Sequence, residues 1–199
     1  ATGLEREDRV AGHAALSFDL STFDIFVTCA AQASLYPVPE PIRFRGHLLA
    51  SFIAEHALTT MYCVPAAWAA LMNAEAAKAL PSLKRIIYAG EAFSIGRLRT
   101  LKQIFPRARL LNFYGPTETN VIAWHDATHE DLSLSDAARI IGKAIDATSL
   151  RVLDDEEREV PEGLLWSEGP TTMMGYFGAP PHQGAYNTGD VVRNDDPRG

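Results

Sequence analysis

Over the first two-thirds of the chain, short apolar or β-branched runs alternate with longer stretches whose apolar residues recur every three or four positions. The short runs predict strands and the longer stretches predict helices. Residues 16–19 predict the close of a strand. Residues 22–33 predict a helix, with Ser21 as N-cap and Asp24 as the acid of an approximate capping box. A short strand follows at 34–38, ended by prolines at 37, 39 and 41. In the helix predicted over 44–56, Leu48, Leu49, Phe52 and Ile53 share a face. Next come a strand at 59–64, an alanine-rich helix at 66–80 opened by Pro65, and a strand at 83–88 closed by Ala89 and Gly90. A helix at 95–105 stops at Pro106, and a strand at 109–113 runs into Tyr114, Gly115 and Pro116.

Repeated strand–helix alternation implies parallel pairing with right-handed crossovers. The expected fold is therefore α/β, a mostly parallel sheet flanked by helices in a flavodoxin-like subdomain. After about Gly142 the pattern changes. An acidic turn at 154–159 and short extended pieces at 149–153, 164–167, 173–177 and 190–193 are separated by Gly and Pro. They predict part of a small antiparallel or barrel-like β subdomain. The expected division is 1–145 and 146–199, with a soft boundary at 142–147. Ligands of parallel sheets bind beyond the carboxyl ends of the strands. Chemistry is thus expected in the loops 19–21, 64–65, 89–91 and 114–118.

Charge and cysteine content narrow the function. Across 199 residues, 25 acidic side chains outweigh 18 basic ones, a net charge of −7. With no basic cluster, the chain is a poor reader of nucleic-acid phosphates. A hydrophobic share of 47% excludes wholesale disorder, and no apolar run has the length of a membrane span. Cys29 and Cys63 are too few for a disulfide framework or a cysteine zinc site; they suit a reducing, cytoplasmic compartment. The six histidines lack the spacing of a zinc hydrolase.

Four motifs carry candidate chemistry. The strongest is Asn112-Phe113-Tyr114-Gly115-Pro116-Thr117-Glu118-Thr119. Gly-Pro forces a tight turn directly after a strand. Thr117 can donate to a phosphate oxygen, Glu118 can hold a Mg²⁺ that bridges phosphates, and Tyr114 offers a face for a base. The competing reading is a plain turn with a surface Thr-Glu pair. In Tyr186-Asn187-Thr188-Gly189-Asp190, Gly189 lets the backbone turn and Asp190 can accept from two ribose hydroxyls; alone, the same residues read as a turn. Gly169-Pro170-Thr171 to Gly175-Tyr176-Phe177 predicts only β structure. In Ser17-Phe18-Asp19-Leu20-Ser21 an acid interrupts an apolar stretch, so Asp19 must be paired or must cap a helix.

Taken together and in this order, the four motifs resemble the core motifs of the adenylate-forming superfamily, and specifically the amino-acid adenylation domains of nonribosomal peptide synthesis. The resemblance runs through Phe18-Asp19-Leu20-Ser21, the Asn112–Glu118 run, Gly175-Tyr176 and Tyr186–Asp190. It implies an ATP-dependent ligase that forms an aminoacyl-AMP, releases pyrophosphate and passes the acyl group to a carrier protein's phosphopantetheine thiol. It implies ATP and Mg²⁺ as cofactors. Thr117 would contact phosphate and Glu118 would hold the metal. Asn112 and Tyr114 would belong to the nucleotide site, Tyr114 against adenine with Gly90 and Glu91 along its edge, and Asp190 would take the ribose.

The matching acid in amino-acid activators pairs with the substrate's α-ammonium, a role that would fall to Asp19. By the same carry-over, Asp19, Leu20, Phe23, Tyr62, Ile87, Ala89, Phe113, Val121 and Ile122 line the substrate pocket. Apart from Asp19 they are apolar or aromatic, so a small apolar amino acid is expected. The set resembles that of the stand-alone L-prolyl-AMP ligases, which makes proline the leading substrate. Ile87, Val121 and Ile122 read equally as core residues. The family's Ser/Thr/Gly-rich phosphate loop is expected upstream of residue 1, and its catalytic-lysine subdomain beyond Gly199. The 199 residues alone are therefore expected to be inactive. An acyl- or aryl-CoA ligase and a noncatalytic nucleotide-binding or docking module are the competing readings.

Overall fold

The computed structural model describes residues 2–75, 77, 80–135 and 139–194. The chain divides into two compact units, one of Ala1–Phe113 with His125–Gly142, the other of Tyr114–Trp124 with Lys143–Gly199.

In the first unit β1 (Arg9–Gly12), β2 (Ser34–Pro37), β3 (Thr60–Cys63), β4 (Arg85–Tyr88) and β5 (Arg109–Tyr114) pair in parallel. Their order is β2-β1-β3-β4-β5, and β6 (Ala123–Asp126) pairs antiparallel with β7 (Lys143–Ala144) through Ala123–Ala144 and Trp124–Lys143. The parallel part has the flavodoxin-like order, whose switch point lies between β1 and β3. Helices α3 (Gly46–Glu55), α4 (Pro65–Met72) and α5 (Ile95–Ile104) connect these strands. All four residues of β3 are buried, the mark of a strand covered on both faces. Leu49 and Ile53 of α3, Trp68 and Leu71 of α4, and Leu98 and Leu101 of α5 join one core. Burial of each such side chain contributes about 1.5–3 kcal/mol. Gly46 is required where α3 approaches α4, because a Cβ there would lie 2.0 Å from the Ala70 carbonyl oxygen. Ser94 caps α5 by accepting from the Arg97 amide at 3.3 Å.

Several expected elements change. Residues 16–19 form no strand; the Phe18 amide closes a turn onto the Ala15 carbonyl at 2.9 Å. The strand lies earlier, at β1, where only Val10 and Ala11 are buried, too short a signal to read. The helix expected at 22–33 starts sooner, as α1 (Leu20–Thr22), a π-helical segment Phe23–Val27, and α2 (Thr28–Ala30). Ser21 is inside it and donates to the Phe18 carbonyl at 2.7 Å, so it is no cap. Asp24 is buried rather than part of a capping box. The alanine-rich helix ends at Met72, where Asn73 is the C-cap. Helix propensity alone does not carry a segment with so few large apolar side chains to bury. Residues 76, 78 and 79 of that expectation lie outside the described residues.

In the second unit β8 (Ser149–Leu153), β9 (Glu162–Glu168) and β10 (Tyr186–Arg193) form an antiparallel sheet with β9 central. β10 takes in the expected turn at 186–190. Its register shifts between Asn187 and Val191, and the irregularity spans Gly189 at φ +77°. Residues 173–177 are not a strand. Gly175 at φ +133° bends them into a loop closed by the His182 amide on the Met174 carbonyl at 2.8 Å. Among the described residues no helix is long and apolar enough to cross a membrane.

Candidate functional site

In the first unit the candidate residues gather at the carboxyl ends of β1, β3, β4 and β5. Asp19 stands at the N-cap position of α1, half-buried, and its side chain makes no capping hydrogen bond. The helix-cap reading of this acid therefore falls. Thr22 instead donates to the Asp19 carbonyl oxygen at 2.6 Å. Leu20 is half-buried beside it.

Phe23, Tyr62 and Phe113 form an edge-to-face triangle, with ring centroids 5.1, 5.5 and 6.0 Å apart. All three are at most 7% exposed. Burial pushes the Tyr62 phenol up, helped by the negative charges of Asp19 and Asp24, so it stays protonated. Ile87, in β4, is fully buried, and its carbonyl accepts from Trp68 Nε1 at 3.0 Å; Ala89 follows nearly buried. Gly90, at φ +82°, and Glu91 are exposed. The Asn112 side-chain amide donates to the Ile140 carbonyl at 2.7 Å, which fixes it within the fold. Burial pushes the Cys63 thiol well above its usual range, which makes it a poor nucleophile.

Asp24 was not among the site residues the sequence suggested. Its Oδ2 accepts from the Ala14 amide at 3.3 Å, and the His13 amide is a second donor to the carboxyl. Oδ1 is buried without a partner. Burial pushes this carboxyl up to about 7, against the opposing pull of those amides and of Arg43. The π-helical segment that carries it also carries Phe23.

The second unit builds its group on the turn after β5. A Cβ at Gly115 would lie 1.8 Å from the Asn120 carbonyl oxygen, so this turn accepts only glycine. The Ile122 amide bonds the Tyr114 carbonyl at 2.8 Å, and the Thr119 amide bonds that of Pro116 at 3.0 Å. Thr119 is fully buried, whereas Thr117 is presented to solvent. Val121 is half-buried and Ile122 fully buried. The Tyr176 hydroxyl donates to Glu118 Oε1 at 2.5 Å, and the Met173 amide donates to the Glu118 carbonyl at 2.7 Å. The Tyr176 hydrogen bond is the main cause that holds the Glu118 carboxyl below its ordinary value; the Tyr186 hydroxyl adds to it. The Tyr114 hydroxyl donates to Asp190 Oδ2 at 2.5 Å. Tyr176 and Tyr186 were visible in the sequence only as parts of motifs, since their partners lie far along the chain.

These donors suit Mg²⁺. Glu118 is an ionised oxygen donor open to solvent, and no group of three His, Cys, Asp or Glu gathers as a closed cage among the described residues. Mg²⁺ typically takes one or two carboxylates and completes its shell with phosphate and water.

The sequence model of the AMP-binding enzyme family matches residues 1–177. The L-proline–L-prolyl-carrier protein ligase of Pseudomonas fluorescens is 35% identical over 195 residues, which cover 94% of this chain and 38% of the relative. The crystal structure of CmiS6 superposes with a TM-score of 0.89 at 28% identity, over 97% of this chain and 51% of that one. The Vibrio cholerae adenylation domain AlmE, solved in complex with glycyl-adenosine-5'-phosphate, superposes at 0.81 with 27% identity, over 96% of this chain and 39% of its own. The chain thus spans well under half the length of the curated relative. A family match over most of the chain, joined to a fold shared with these structures, establishes that the chain belongs to the AMP-binding enzyme family.

Proposed function

We propose that the chain is part of an AMP-forming ligase that activates a small apolar α-amino acid, with L-proline as the leading substrate. The observation that carries this reading is Asp19: a half-buried acid with no capping bond, at the carboxyl end of a parallel sheet, beside a triangle of aromatic side chains from the π-helical segment, β3 and β5. An α-ammonium leaving water needs such a counter-charge, and a plain carboxylic acid does not. The Phe23–Tyr62–Phe113 triangle offers apolar edges and one neutral hydroxyl, which favours a compact side chain without charge. The prolyl ligase among the relatives supports proline in particular.

In the first step an oxygen of the amino acid's carboxylate attacks the α-phosphorus of ATP. The bond to the bridging oxygen breaks, and pyrophosphate leaves with its electron pair. Catalysis of such a transfer is mostly positioning and charge stabilisation. Thr117, exposed on its glycine-enforced turn, donates to a phosphate oxygen. The Tyr114 face receives the base, and Asp190 accepts from the ribose hydroxyls. Glu118 would hold Mg²⁺, which would neutralise charge on the phosphates. In the second step a carrier-protein thiol takes the acyl group and AMP leaves.

The test is amino-acid-dependent ATP–pyrophosphate exchange by the full-length protein that contains this sequence. Exchange led by proline or another small apolar amino acid supports the reading. Exchange only with plain carboxylic acids would replace it with the acyl- or aryl-CoA ligase reading.

A further inference from the structure

Glu118 sits just past a tight turn, and three side-chain torsions would leave its carboxylate free to swing. The segment 173–176 removes that freedom at two points. The Met173 amide grips the Glu118 backbone at 2.7 Å, and the Tyr176 hydroxyl grips Oε1 at 2.5 Å. The segment is itself bent to reach: at Gly175 a Cβ would lie 3.1 Å from both the His182 nitrogen and the Pro180 oxygen, and φ is +133°. The Ala179 amide on the Tyr176 carbonyl, at 3.0 Å, closes the far side. Tyr176 remains 59% exposed, so packing alone does not account for its placement. What its hydroxyl does is hold a carboxylate.

We propose that Tyr176 is a positioning residue that fixes Glu118 for a divalent cation. This rests on the reading of Glu118 given above. The phenol occupies Oε1 through a neutral O–H donor, and the Tyr186 hydroxyl also bonds this carboxylate, so the carboxylate is aimed without losing its charge and its remaining lone pairs would face a metal. Mg²⁺ demands near-octahedral geometry and gains from an oxygen that is already aimed, and partners that orient a ligand typically set metal affinity.

The experiment measures binding of a nonhydrolysable ATP analogue to the full-length protein by calorimetry, once with Mg²⁺ and once with EDTA. Tyr176→Phe is expected to lose about tenfold of the Mg²⁺-dependent gain in affinity, with the EDTA affinity and the melting midpoint unchanged. Glu118→Gln should lose that gain too, and the double variant should be no worse than Glu118→Gln. A full Mg²⁺-dependent gain in Tyr176→Phe would overturn the proposal. So would an equal loss with Mg²⁺ and EDTA, or a drop in melting midpoint, because each marks a merely structural brace. Should Glu118→Gln alone keep the whole gain, the assignment of Glu118 to the metal fails, whatever Tyr176 does.

Discussion

The hydroxyl of Tyr114 donates to the Asp190 carboxylate at 2.5 Å, joining residues 76 positions apart. Thr188 Oγ1 accepts from the Asp190 amide at 3.2 Å and steadies the same acid. A phenol tied at its tip cannot swing away from Asp190, so on the proposed function the tie keeps the ring in place for a base and the carboxylate in place for a ribose. Tyr114→Phe keeps the face and removes the tie. A hydrogen bond to a charged group contributes about 1.5–3 kcal/mol, so the KM for ATP should rise roughly tenfold or more while the KM for the amino acid stays within about twofold. Steady-state exchange kinetics check this. Equal rises in both constants would show that the pair merely holds the fold.

Asp19→Ala separates the amino-acid reading from its rival. Leaving a buried charge unpaired costs about 3–5 kcal/mol, so amino-acid-dependent exchange should fall by at least about a hundredfold. Calorimetric affinity for the ATP analogue should not move. An enzyme that still activates amino acids normally after this change does not use Asp19 as the ammonium's partner.

The aromatic triangle predicts a size limit. Phe113, 6% exposed, packs against both other rings. Phe113→Leu should open room for longer apolar side chains, and each methylene gained or lost in an apolar pocket changes preference by about 10–200-fold. Ranking exchange across alanine, valine, proline, leucine and phenylalanine reads it. An unchanged ranking would remove Phe113 from the specificity pocket.

What the sequence made legible was local. Helices α3 and α5 announce themselves because each buries one face at helical spacing. The 114–118 turn does so because Gly-Pro constrains a few adjacent residues. Strand β1 stayed hidden because its four residues bury only two side chains. The π-helical segment stayed hidden because its extra residue per turn leaves no mark in a helical pattern. Glu118 and Tyr114 could be picked out as chemical groups, yet their tyrosine and aspartate partners lie 58 and 76 positions away, and only the fold brings them together.

Gly115 offers a stability test that leaves the chemistry aside. Its Cβ position lies 1.8 Å from one backbone oxygen and 2.8 Å from that residue's carbonyl carbon, so Gly115→Ala must displace the chain at Asn120. Overpacking against backbone costs about 1–3 kcal/mol or more. The urea midpoint should fall accordingly. A midpoint equal to that of the parent would mean the turn is softer than this geometry allows.

Asp24 should give the protein a pH-dependent stability of unusual sign. An ordinary carboxyl near 3.8 is here raised to about 7 by burial. Between those two values the native state keeps a proton that the unfolded chain has lost. The contribution of this group to stability therefore falls as pH rises from about 4 to about 7, then levels off. The difference between 3.8 and about 7 corresponds to at most about 4 kcal/mol. His13 titrates in opposition: its ring is held below 6.5, so this group's contribution to stability rises with pH up to about 6.5, equally in the parent and in Asp24→Asn, and the difference between the two isolates Asp24. Burial pushes the His13 ring down, so it is neutral in the upper part of the window, while Cys63 and Tyr62 are pushed up and stay protonated. The Arg43 guanidinium pulls the Asp24 carboxyl the other way and only softens the shift. Asp24→Asn preserves an oxygen for the Ala14 amide and cannot ionise. Its stability should match the parent near pH 3 to 4, begin to exceed it by pH 5, and exceed it by a few kcal/mol at pH 8, measured by urea unfolding at several pH values. A difference that does not change with pH would show that Asp24 is charged, and satisfied, throughout.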